Sequence, residues 1–306
     1  MNEMPVPIPK ICVIIVSYNF EPWIPLCLPS VKASTLPATV VVIDNASQDR
    51  TREIIRSQYP DIVLMENNRN LGFGKANNQG MKYALDNGFD YVFLLNQDAR
   101  LHPRALERLI LAASHNTDYG ILSPIHLNGK GDRLDFGFAE YTRLTSKEEI
   151  EQLPHEVTEC TFINAAMWLV PTSVIKKIGG FAPIFPHYGE DRNYAQRVRK
   201  NGYRVGFVKS AIGYHHRQQR KISPNEYFYS EYIYFLTEAV NPYYSCFKAF
   251  AYSVLAAAKK AFISLFKGEI SSFSKYITIA SRLIAKTPAI YRTRKETTTP
   301  GTHYLQ

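Results

Sequence analysis

The chain has 306 residues, of which 45% are hydrophobic and 21% charged, as in ordinary globular proteins and unlike disordered or fibrous chains. This length predicts one large domain or two modest ones. The formal net charge of +9 is unevenly distributed: residues 1–215 carry 23 basic and 22 acidic residues, whereas residues 216–306 carry 13 and 5. The basic excess therefore lies in the last third of the chain.

Cysteine usage and hydropathy narrow the class of protein further. Four cysteines in 306 residues are too few for a disulfide framework, and the lack of CxxC pairing argues against a zinc cluster, so a reducing, cytoplasmic setting is expected. The N-terminal residues lack the basic start and long apolar stretch of a secretory signal. No window reaches about 18 uninterrupted apolar residues, so we predict no membrane-spanning helix.

Apolar runs alternate with helical stretches in the first half of the chain. The strand-like runs are ICVIIVSYN, TVVVIDNAS, DIVLMENN and DYVFLLNQDA. Helices are predicted between them over about 22–34, 47–56 and 74–87, the second capped by Ser47. Continuous apolar strands joined by helices indicate an α/β protein with a mostly parallel sheet covered on both faces.

Each of these four strands ends in polar residues. The ends are Ser17-Tyr18-Asn19, Asp44-Asn45-Ala46-Ser47, residues 67–70 and Asn96-Gln97-Asp98. Ligands of such sheets bind beyond the carboxyl ends of the strands. For any single end taken alone, a turn or a helix cap is the favoured explanation. Four polar ends along one rim favour a nucleotide-binding crevice.

The second half is less regular between about residues 120 and 165. The run TFINAAMWLV then predicts a strand or a buried segment, and a helix over 172–178 stops at Gly179-Gly180. Another helix begins near Gly189 and leads into the strand RVGFV. Residues 226–266 are rich in Tyr and Phe, with interspersed lysines, and residues 293–306 are predicted to be disordered.

Five motifs occur in a fixed order: VSYN, VVVIDNASQDRT, NNRNLGFGKANNQG, FLLNQDA and GGFAPIFPHYGEDRNYAQRVRKNGY. Together they resemble family 2 glycosyltransferases of the GT-A fold, in particular bacterial rhamnosyltransferase-like members that build surface polysaccharides. The resemblance covers about residues 10–220. It implies a catalytic domain over 1–220, with a nucleotide-binding half (about 10–100) and an acceptor-binding half (101–220), followed by a helical, basic extension over 221–306 with a disordered tail.

The resemblance implies a divalent metal ion, Mg²⁺ or Mn²⁺, at the end of the fourth strand. Asp98 occupies the family's acidic metal-binding motif, although Asn96 stands where the family often has a second aspartate. A single carboxylate predicts weaker metal binding, and a strand-end cap is the structural alternative. His215, in preference to His216, matches a metal-ligating histidine; a purely structural histidine is the alternative.

The resemblance also implies a set of nucleotide-sugar-binding residues. Asp44 would accept a hydrogen bond from the pyrimidine ring N–H, and Tyr18 would offer a stacking face. For Asn77 the alternative is an exposed helix face. The implied set comprises Ser17, Tyr18, Asn19, Asp44, Asn45, Ser47, Asn70, Gly72, Phe73, Asn77, Asn96 and Gln97.

Asp191 is the implied general base of an inverting, single-displacement transfer, and Glu190 would position the acceptor or the base. A carboxylate at a helix start is expected to stay ionised, although acids there also stabilise helices without any catalytic role. Gly180 and Phe181 resemble the acceptor-side loop. Trp168 is either an aromatic platform for a sugar or a core residue.

Several functions and partners remain open from the sequence. The favoured donor is dTDP-rhamnose; UDP-galactofuranose, UDP-N-acetylglucosamine and other UDP-sugars are alternatives, as is a non-catalytic nucleotide-sugar- or glycan-binding module. The expected acceptor is a glycan or a polyprenyl-diphosphate-linked glycan. The basic C-terminal region indicates either an anionic membrane surface on the inner face of the cell membrane or helices packed on the catalytic domain or a second subunit. Nucleic acid is not an expected partner, because the basic excess lies outside the motif-bearing sheet.

Overall fold

The computed structural model of the protein describes residues 8–217 and 223–305. The strands of this part of the chain form one mixed sheet in the order β3-β2-β1-β4-β8-β6-β9-β5, with β7 also paired to β9. The strands are β1 Ile11–Ser17, β2 Thr39–Asp44, β3 Val63–Glu66, β4 Tyr91–Leu95, β5 Ala99–Leu101, β6 Tyr119–Asn128, β7 Val157–Glu159, β8 Met167–Pro171 and β9 Arg204–His215.

The first four strands are parallel, as the sequence predicts. Alternate residues of β1 enter two different cores: Val13 packs on one face of the sheet and Ile14 on the other, and both are fully buried. Burial on both faces explains why these strands are continuous apolar runs. The helices of the catalytic region are α1 Ile24–Lys32, α2 Thr51–Gln58, α3 Phe73–Asp86, α4 Ala105–His115, α5 Phe136–Thr142, α6 Lys147–Glu151, α7 Thr172–Ile178 and α8 Glu190–Lys200.

Helix α2 begins four residues later than predicted, and Ser47 does not cap it. The Ser47 hydroxyl donates to the carboxylate of Asp44 and accepts from the backbone N–H of Asn19 at 2.9 Å. Because this hydroxyl is committed to the end of β2, the helix starts at Thr51, with Arg50 as its N-cap residue. A residue predicted to cap a helix therefore belongs to the rim of the sheet.

Strand β6 is a ten-residue strand in the region predicted to be less regular. It lies between β8 and β9, and its pairing with β9 shifts register between Pro124 and Ile125. Proline lacks the N–H that a central strand donates, so Pro124 hides this strand from pattern-based prediction. The structure accommodates Pro124 at the irregularity.

The C-terminal extension is helical, as predicted. Its helices are α9 Pro224–Ala239, α10 Cys246–Phe250, α11 Ala256–Phe266, α12 Ile270–Ala285 and α13 Thr287–Glu296, with a π-helical turn at Ala251–Leu255 joining α10 to α11. They form their own apolar core, in which Leu236, Ala257 and Leu283 are fully buried. The predicted domain boundary at 220/221 lies outside the described residues.

The described part of the tail, residues 293–305, packs on the protein, in contrast to the prediction of disorder. Its backbone crosses the loop after α7, where the N–H of Gly180 donates to the carbonyl oxygen of His303 at 2.8 Å and Leu305 is buried. The Arg197 guanidinium, fully buried beneath this loop, donates to the carbonyl oxygens of Ile178 and Gly180. The polar composition of the tail suggested disorder, but its backbone hydrogen bonds and one apolar side chain anchor it.

Within the described residues, one helix is long and apolar enough to cross a membrane by length and composition, the continuous helix Cys246–Phe266. The prediction of no spanning helix rested on uninterrupted apolar residues, and lysines interrupt this segment. One third of its apolar window is buried inside the protein. A packed helix of a soluble protein passes the same test.

Candidate active site

One cavity of about 690 Å³ joins the predicted metal ligands to the predicted catalytic acids. Asn96, Asp98 and His215 line one part of it, and Glu190 and Asp191 line another. The sheet brings Asp98 close to His215. Strand β5, which follows Asp98, runs antiparallel to the end of β9, with Ala99 opposite His215. Residues more than a hundred positions apart in the chain thus face a single space.

Asp98 and His215 form a close pair. Nε2 of His215 lies 3.4 Å from Oδ1 of Asp98 and 3.5 Å from Nδ2 of Asn96. Burial raises the pKa of Asp98, but the hydrogen bond and charge of His215 outweigh it and leave the pKa below its ordinary value. His216 points elsewhere: its ring packs 5.5 Å from that of Trp23, while its backbone N–H donates to the carbonyl oxygen of Asp98. The geometry therefore favours His215 as the cavity-facing histidine.

A buried cluster supports His215 from behind. Its Nδ1 lies 3.8 Å from Oδ2 of Asp135, and ligand atoms of His126, Asp135 and His215 fall within 4.8 Å of one another. Asp135 is held by the start of α5, where its Oδ1 accepts from the N–H groups of Gly137 and Phe138. The 3.8 Å separation leaves Nδ1 of His215 without a hydrogen-bond partner among the described residues. Sequence patterns did not predict this cluster, because its members lie on three separate elements.

These donors fit a divalent metal ion. Asp98 offers carboxylate oxygens and is partly open to the cavity, and His215 offers an imidazole nitrogen beside them. Mixed oxygen and nitrogen donors suit Mn²⁺, and oxygen donors suit Mg²⁺. Because Asn96 supplies no charge, the pair carries a single carboxylate.

Glu190 and Asp191 open helix α8 after Gly189, as predicted, but their electrostatics differ from the expectation of ionised acids. Burial and the neighbouring charge of Asp191 raise the pKa of Glu190 to about 7. Burial also raises the pKa of Asp191, although the N–H of Arg192 donates to its Oδ1 at 2.7 Å. The increase in pKa caused by desolvation is larger than the decrease caused by the positive end of the helix dipole. Both acids therefore bind protons more readily than exposed carboxylates.

The predicted nucleotide-binding residues at the ends of β1 and β2 bind mainly to one another. The carboxylate of Asp44 is fully buried, accepts from the hydroxyls of Ser17 and Ser47, and lies 3.7 Å from the Arg52 guanidinium. In the structure it therefore shapes the rim and does not present an open acceptor to a base. Tyr18, in contrast, is 43% exposed and available for stacking.

Side-chain amides connect the strand ends along this rim. Gln97 accepts from the N–H of Tyr18 at 2.9 Å and donates to its carbonyl oxygen at 3.2 Å. Asn19, which has a positive φ of 52°, accepts from the N–H of Gln48 at 2.9 Å. These contacts fix the backbone around the exposed ring of Tyr18.

The loop before α3 is held between the two halves of the site. Asn45 accepts from the N–H of Leu71 at 3.4 Å, and Asn70 accepts from the N–H of Gly72 at 2.8 Å. Gly72 has a φ of +80°, and a Cβ there would come within 2.8 Å of the carbonyl oxygen of Pro186. Only glycine fits both the conformation and the close approach.

Three predicted acceptor-side residues are not accessible. Trp168 and Phe181 are fully buried and stack on each other, and Gly180 lies beneath the tail. The core alternative for Trp168 is thus the correct one, and the platform interpretation is wrong. Asn77 is likewise buried, with its amide donating to the carbonyl oxygen of Phe73, so it is not an exposed helix face.

Of the predicted nucleotide-sugar-binding residues, Phe73 and Asn96 line the large cavity directly. The neighbouring Asn78, which was not predicted, joins α3 to the acceptor side by accepting from the N–H of Phe181 at 2.7 Å and donating to its carbonyl oxygen at 2.9 Å. Its position beside Asn77 in the motif was the only sequence signal for it.

The sequence profile described as Glycosyl transferase family 2 matches residues 12–179, more than half of the chain. The chain belongs to this family. It is a glycosyltransferase with the GT-A fold, as its motifs predict, and the matched region contains the strand ends described above together with Asp98.

Relatives of this glycosyltransferase are of several kinds. It is 26% identical over 231 residues, 67% of its length and 75% of the relative's, to the N-acetylglucosaminyl-diphospho-decaprenol L-rhamnosyltransferase of Mycobacterium tuberculosis (strain CDC 1551 / Oshkosh). It is 24% identical over 119 residues, 39% of each chain, to galactofuranosyltransferase GlfT1 of Mycolicibacterium smegmatis. The likeness to a rhamnosyltransferase confirms the resemblance predicted from the motifs.

Solved structures share the fold at low identity. The mannosyltransferase PcManGT from Pyrobaculum calidifontis, in complex with GDP-Man and Mn²⁺, superposes with a TM-score of 0.55 and 18% identity over 98% of this chain and 86% of that one. S. aureus TarS 1-349 in complex with UDP also gives 0.55, with 17% identity over 94% and 88%. The match extends through the C-terminal helices of the glycosyltransferase.

Part of the cavity wall comes from residues that the sequence analysis missed. Helix α9 contributes Ser230, Ile233, Tyr234 and Thr237, so the C-terminal extension completes the site. Tyr234 is 54% exposed, and Tyr188 from the loop before α8 is 57% exposed. These two aromatic rings are accessible where Trp168 is not. The Phe-Pro-His-Tyr run before Glu190 was the only sequence signal, and it pointed to Tyr188 alone.

Proposed function

We propose that this glycosyltransferase moves a sugar, in the first instance rhamnose from dTDP-rhamnose, onto a glycan acceptor with inversion at the anomeric carbon. The observation that carries the proposal is the single cavity containing both the Asp98–His215 pair and the Glu190–Asp191 pair. Transfer needs a site that stabilises the leaving diphosphate and a base for the acceptor hydroxyl. Both groups of side chains face the same space.

Asp191 acts as the general base. The acceptor oxygen attacks the anomeric carbon, its proton passes to the Asp191 carboxylate, and the bond from that carbon to the diphosphate oxygen breaks on the opposite face. A base is most effective when its pKa approaches the working pH, and burial moves the pKa of Asp191 in that direction. Glu190, with a pKa of about 7, donates a hydrogen bond when protonated and orients the acceptor or the base.

Asp98 and His215 would hold Mg²⁺ or Mn²⁺, which when bound neutralises charge on the leaving diphosphate. Asp135 lies 3.8 Å from Nδ1 of His215, beyond hydrogen-bond distance, and Asn96 lies beside the ring without adding charge. A site with one carboxylate would bind the ion more weakly than one with two.

The donor binds along the rim of strand ends. Tyr18 stacks on the base, while the Asp44 network and the loop containing Gly72 form the floor and side of the groove. Similarity to a rhamnosyltransferase supports dTDP-rhamnose, and similarity to a galactofuranosyltransferase keeps UDP-galactofuranose as the alternative, followed by UDP-N-acetylglucosamine.

The acceptor is a glycan or a polyprenyl-diphosphate-linked glycan of bacterial surface polysaccharide synthesis. The name of the rhamnosyltransferase relative specifies an acceptor of this chemistry. We place the enzyme in the cytoplasm, peripheral on the inner face of the cell membrane, where such lipid-linked sugars are built.

A donor panel with matched variants tests this function. Purified protein is incubated with Mn²⁺, an N-acetylglucosaminyl-diphospho-polyprenol and, separately, dTDP-rhamnose, UDP-galactofuranose and UDP-N-acetylglucosamine, and product is quantified. Asp191→Asn should lower kcat roughly 10²- to 10⁴-fold, the usual contribution of a general base. It should leave the thermal shift caused by the donor unchanged, because Asp191 does not hold the nucleotide.

Asp132→Asn is the matched control, since this acid is exposed and outside the cavity. Wild-type turnover by Asp191→Asn would disprove the assignment of the base. Donor-induced stabilisation without transfer to any acceptor would identify a nucleotide-sugar-binding module instead of an enzyme with these substrates.

A further inference from the structure

Helices Cys246–Phe266 and α12 form a hairpin whose outer side carries exposed apolar side chains. On the first helix, Phe262 and Phe266 lie one turn apart and are 55% and 89% exposed. On α12, the exposed residues Ile270, Ile277 and Ile284 recur every seven positions, which places them on one stripe. We call these five residues the hairpin face. The inner side of the same helices is packed, so the exposed stripes are not needed for the fold.

Basic residues surround the hairpin face. Residues 246–286 contain seven Lys or Arg and a single acid, Glu269. Lys259 and Lys267 are exposed next to the apolar stripe of the first helix, whereas Lys260 pairs with Glu231 of α9. The exposed surface therefore combines bulky apolar groups with a strong positive charge.

We propose that the hairpin face lies on an anionic lipid bilayer, with its aromatic and isoleucine side chains in the headgroup region and its lysines against lipid phosphates. Apolar stripes flanked by cations are the combination that binds such surfaces. Each basic residue near an anionic leaflet adds to the affinity, and so does each buried apolar side chain.

Charge argues against a second copy of the chain as the occupant. Two copies meeting through this face would bring the exposed Lys259 and Lys267 of one copy close to those of the other. Like charges placed opposite one another in an interface destabilise it. An anionic surface removes this repulsion, whereas a second copy creates it.

Packing argues against a bilayer-spanning orientation. Ala257 and Ala261 of the first helix are buried in the same core as Tyr276 and Leu283 of α12. Crossing a membrane would strip that core from α12 and would place the adjacent Lys259 and Lys260 inside hydrocarbon. Lying on the surface preserves every contact of the hairpin.

The position of the hairpin connects the proposed lipid contact to the cavity in which the reaction would occur. Helix α9 packs on the hairpin through Leu236 and also lines the large cavity through Ile233 and Tyr234. Hairpin and cavity thus share one wall. The link between the lipid contact and the reaction rests on the proposed function, whereas the lipid contact itself does not.

Vesicle sedimentation of the full-length protein tests the lipid contact without any sugar substrate. Vesicles of phosphatidylcholine alone are compared with vesicles of phosphatidylcholine and phosphatidylglycerol. We expect binding to the anionic vesicles that falls as salt is raised. Lys259→Glu with Lys267→Glu, and separately Phe262→Ser with Phe266→Ser, should each weaken the partition coefficient at least about tenfold.

Matched controls place the same changes elsewhere on the surface. Lys130→Glu with Lys176→Glu reverses two exposed charges of the catalytic region, and Leu111→Ser removes an exposed apolar side chain of α4. These variants should bind like the wild type, and all variants should keep its melting temperature because every altered side chain is exposed.

Four outcomes overturn the proposal. They are absence of sedimentation with anionic vesicles, equal binding to both vesicle types, unchanged binding by both hairpin variants, and resistance of the bound protein to alkaline extraction, which would indicate a spanning helix. As a fifth such outcome, a dimer that dissociates on Phe262→Ser with Phe266→Ser would assign the face to a second copy instead. If the wild-type protein bound anionic vesicles but transferred no sugar, that result would count against the proposed function alone.

Discussion

Glu190 is a buried acid with an unpaired oxygen inside the cavity. Its Oε2 has no hydrogen-bond partner among the described residues, and its pKa is raised to about 7. Desolvation is the larger cause, and the charge of Asp191 is the second. Keeping such a group in place costs stability whenever it is ionised, which indicates that its position serves the site and not the fold.

Glu190→Gln should stabilise the protein at neutral pH and have little effect at acidic pH. The pKa of Glu190 is raised by folding, so the wild type has its full stability below the unfolded-state pKa, near 4.5, and loses stability as pH rises to about 7. The loss amounts to roughly 3 kcal/mol, since one pKa unit corresponds to about 1.4 kcal/mol. The melting temperature of the variant minus that of the wild type should grow by several degrees between pH 5 and pH 8.

The same variant should leave the acid limb of the kcat/KM profile unchanged, because burial, and not the charge of Glu190, raises the pKa of Asp191. Glu151→Gln serves as the control, since this glutamate is exposed on α6. If the difference in melting temperature between Glu190→Gln and the wild type did not change between pH 5 and pH 8, Glu190 would already be ionised in the folded protein at pH 5.

At the level of elements, local patterns predicted the strands that are buried on both faces and their polar ends. Local patterns failed where a residue's role is set by a contact outside its own element. Ser47 has the composition of a helix cap, but the Asp44 carboxylate engages its hydroxyl. Pro124 hides a central strand, and Trp168 is enclosed by Phe181 and Tyr194, neither of which is near it in sequence.

The loop that begins α3 offers a direct test of how an element boundary supports the site. Gly72→Ala should destabilise the protein and raise the KM for the donor, because alanine meets both an unfavourable positive φ and the carbonyl oxygen of Pro186 at 2.8 Å. The expected loss is about 2 to 4 kcal/mol, of which the conformation alone accounts for about 1 to 2 kcal/mol. Urea unfolding and initial-rate kinetics measure the two effects.

Gly88→Ala is a matched control, because Gly88 has a φ of +67° with nothing within 4 Å of the added Cβ. It should cost only the conformational part and leave the donor KM unchanged. Equal losses in the two variants would mean that the Pro186 contact gives way without cost and does not hold the loop.

Across the whole molecule, the nearly neutral and the basic parts of the chain serve two different tasks. The sheet carries the strand ends and the Asp98–His215 pair in a region of nearly balanced charge, whereas the basic extension carries the lipid-facing hairpin and one wall of the cavity. Sequence patterns predicted that the extension is helical and basic. Sequence patterns could not predict that α9 lies against the cavity, because only tertiary packing brings the extension to the catalytic region.

This division predicts that Tyr234→Ala raises the acceptor KM and leaves the donor KM unchanged. Tyr234 is half exposed on α9, where its ring is available as a platform for an acceptor sugar, and it lies far in sequence from the donor rim. Loss of one aromatic contact corresponds to about a threefold to tenfold change in KM. Tyr234→Phe should restore the wild-type value, since the ring remains.

Tyr243→Ala provides the comparison, because Tyr243 is similarly exposed on the extension but outside the cavity. Initial rates measured with each substrate varied in turn separate the two KM values, and the melting temperature reports on folding. If Tyr234→Ala raised both KM values together, the wall supplied by α9 would shape the entire cavity, and the assignment of the extension to the acceptor side would fail.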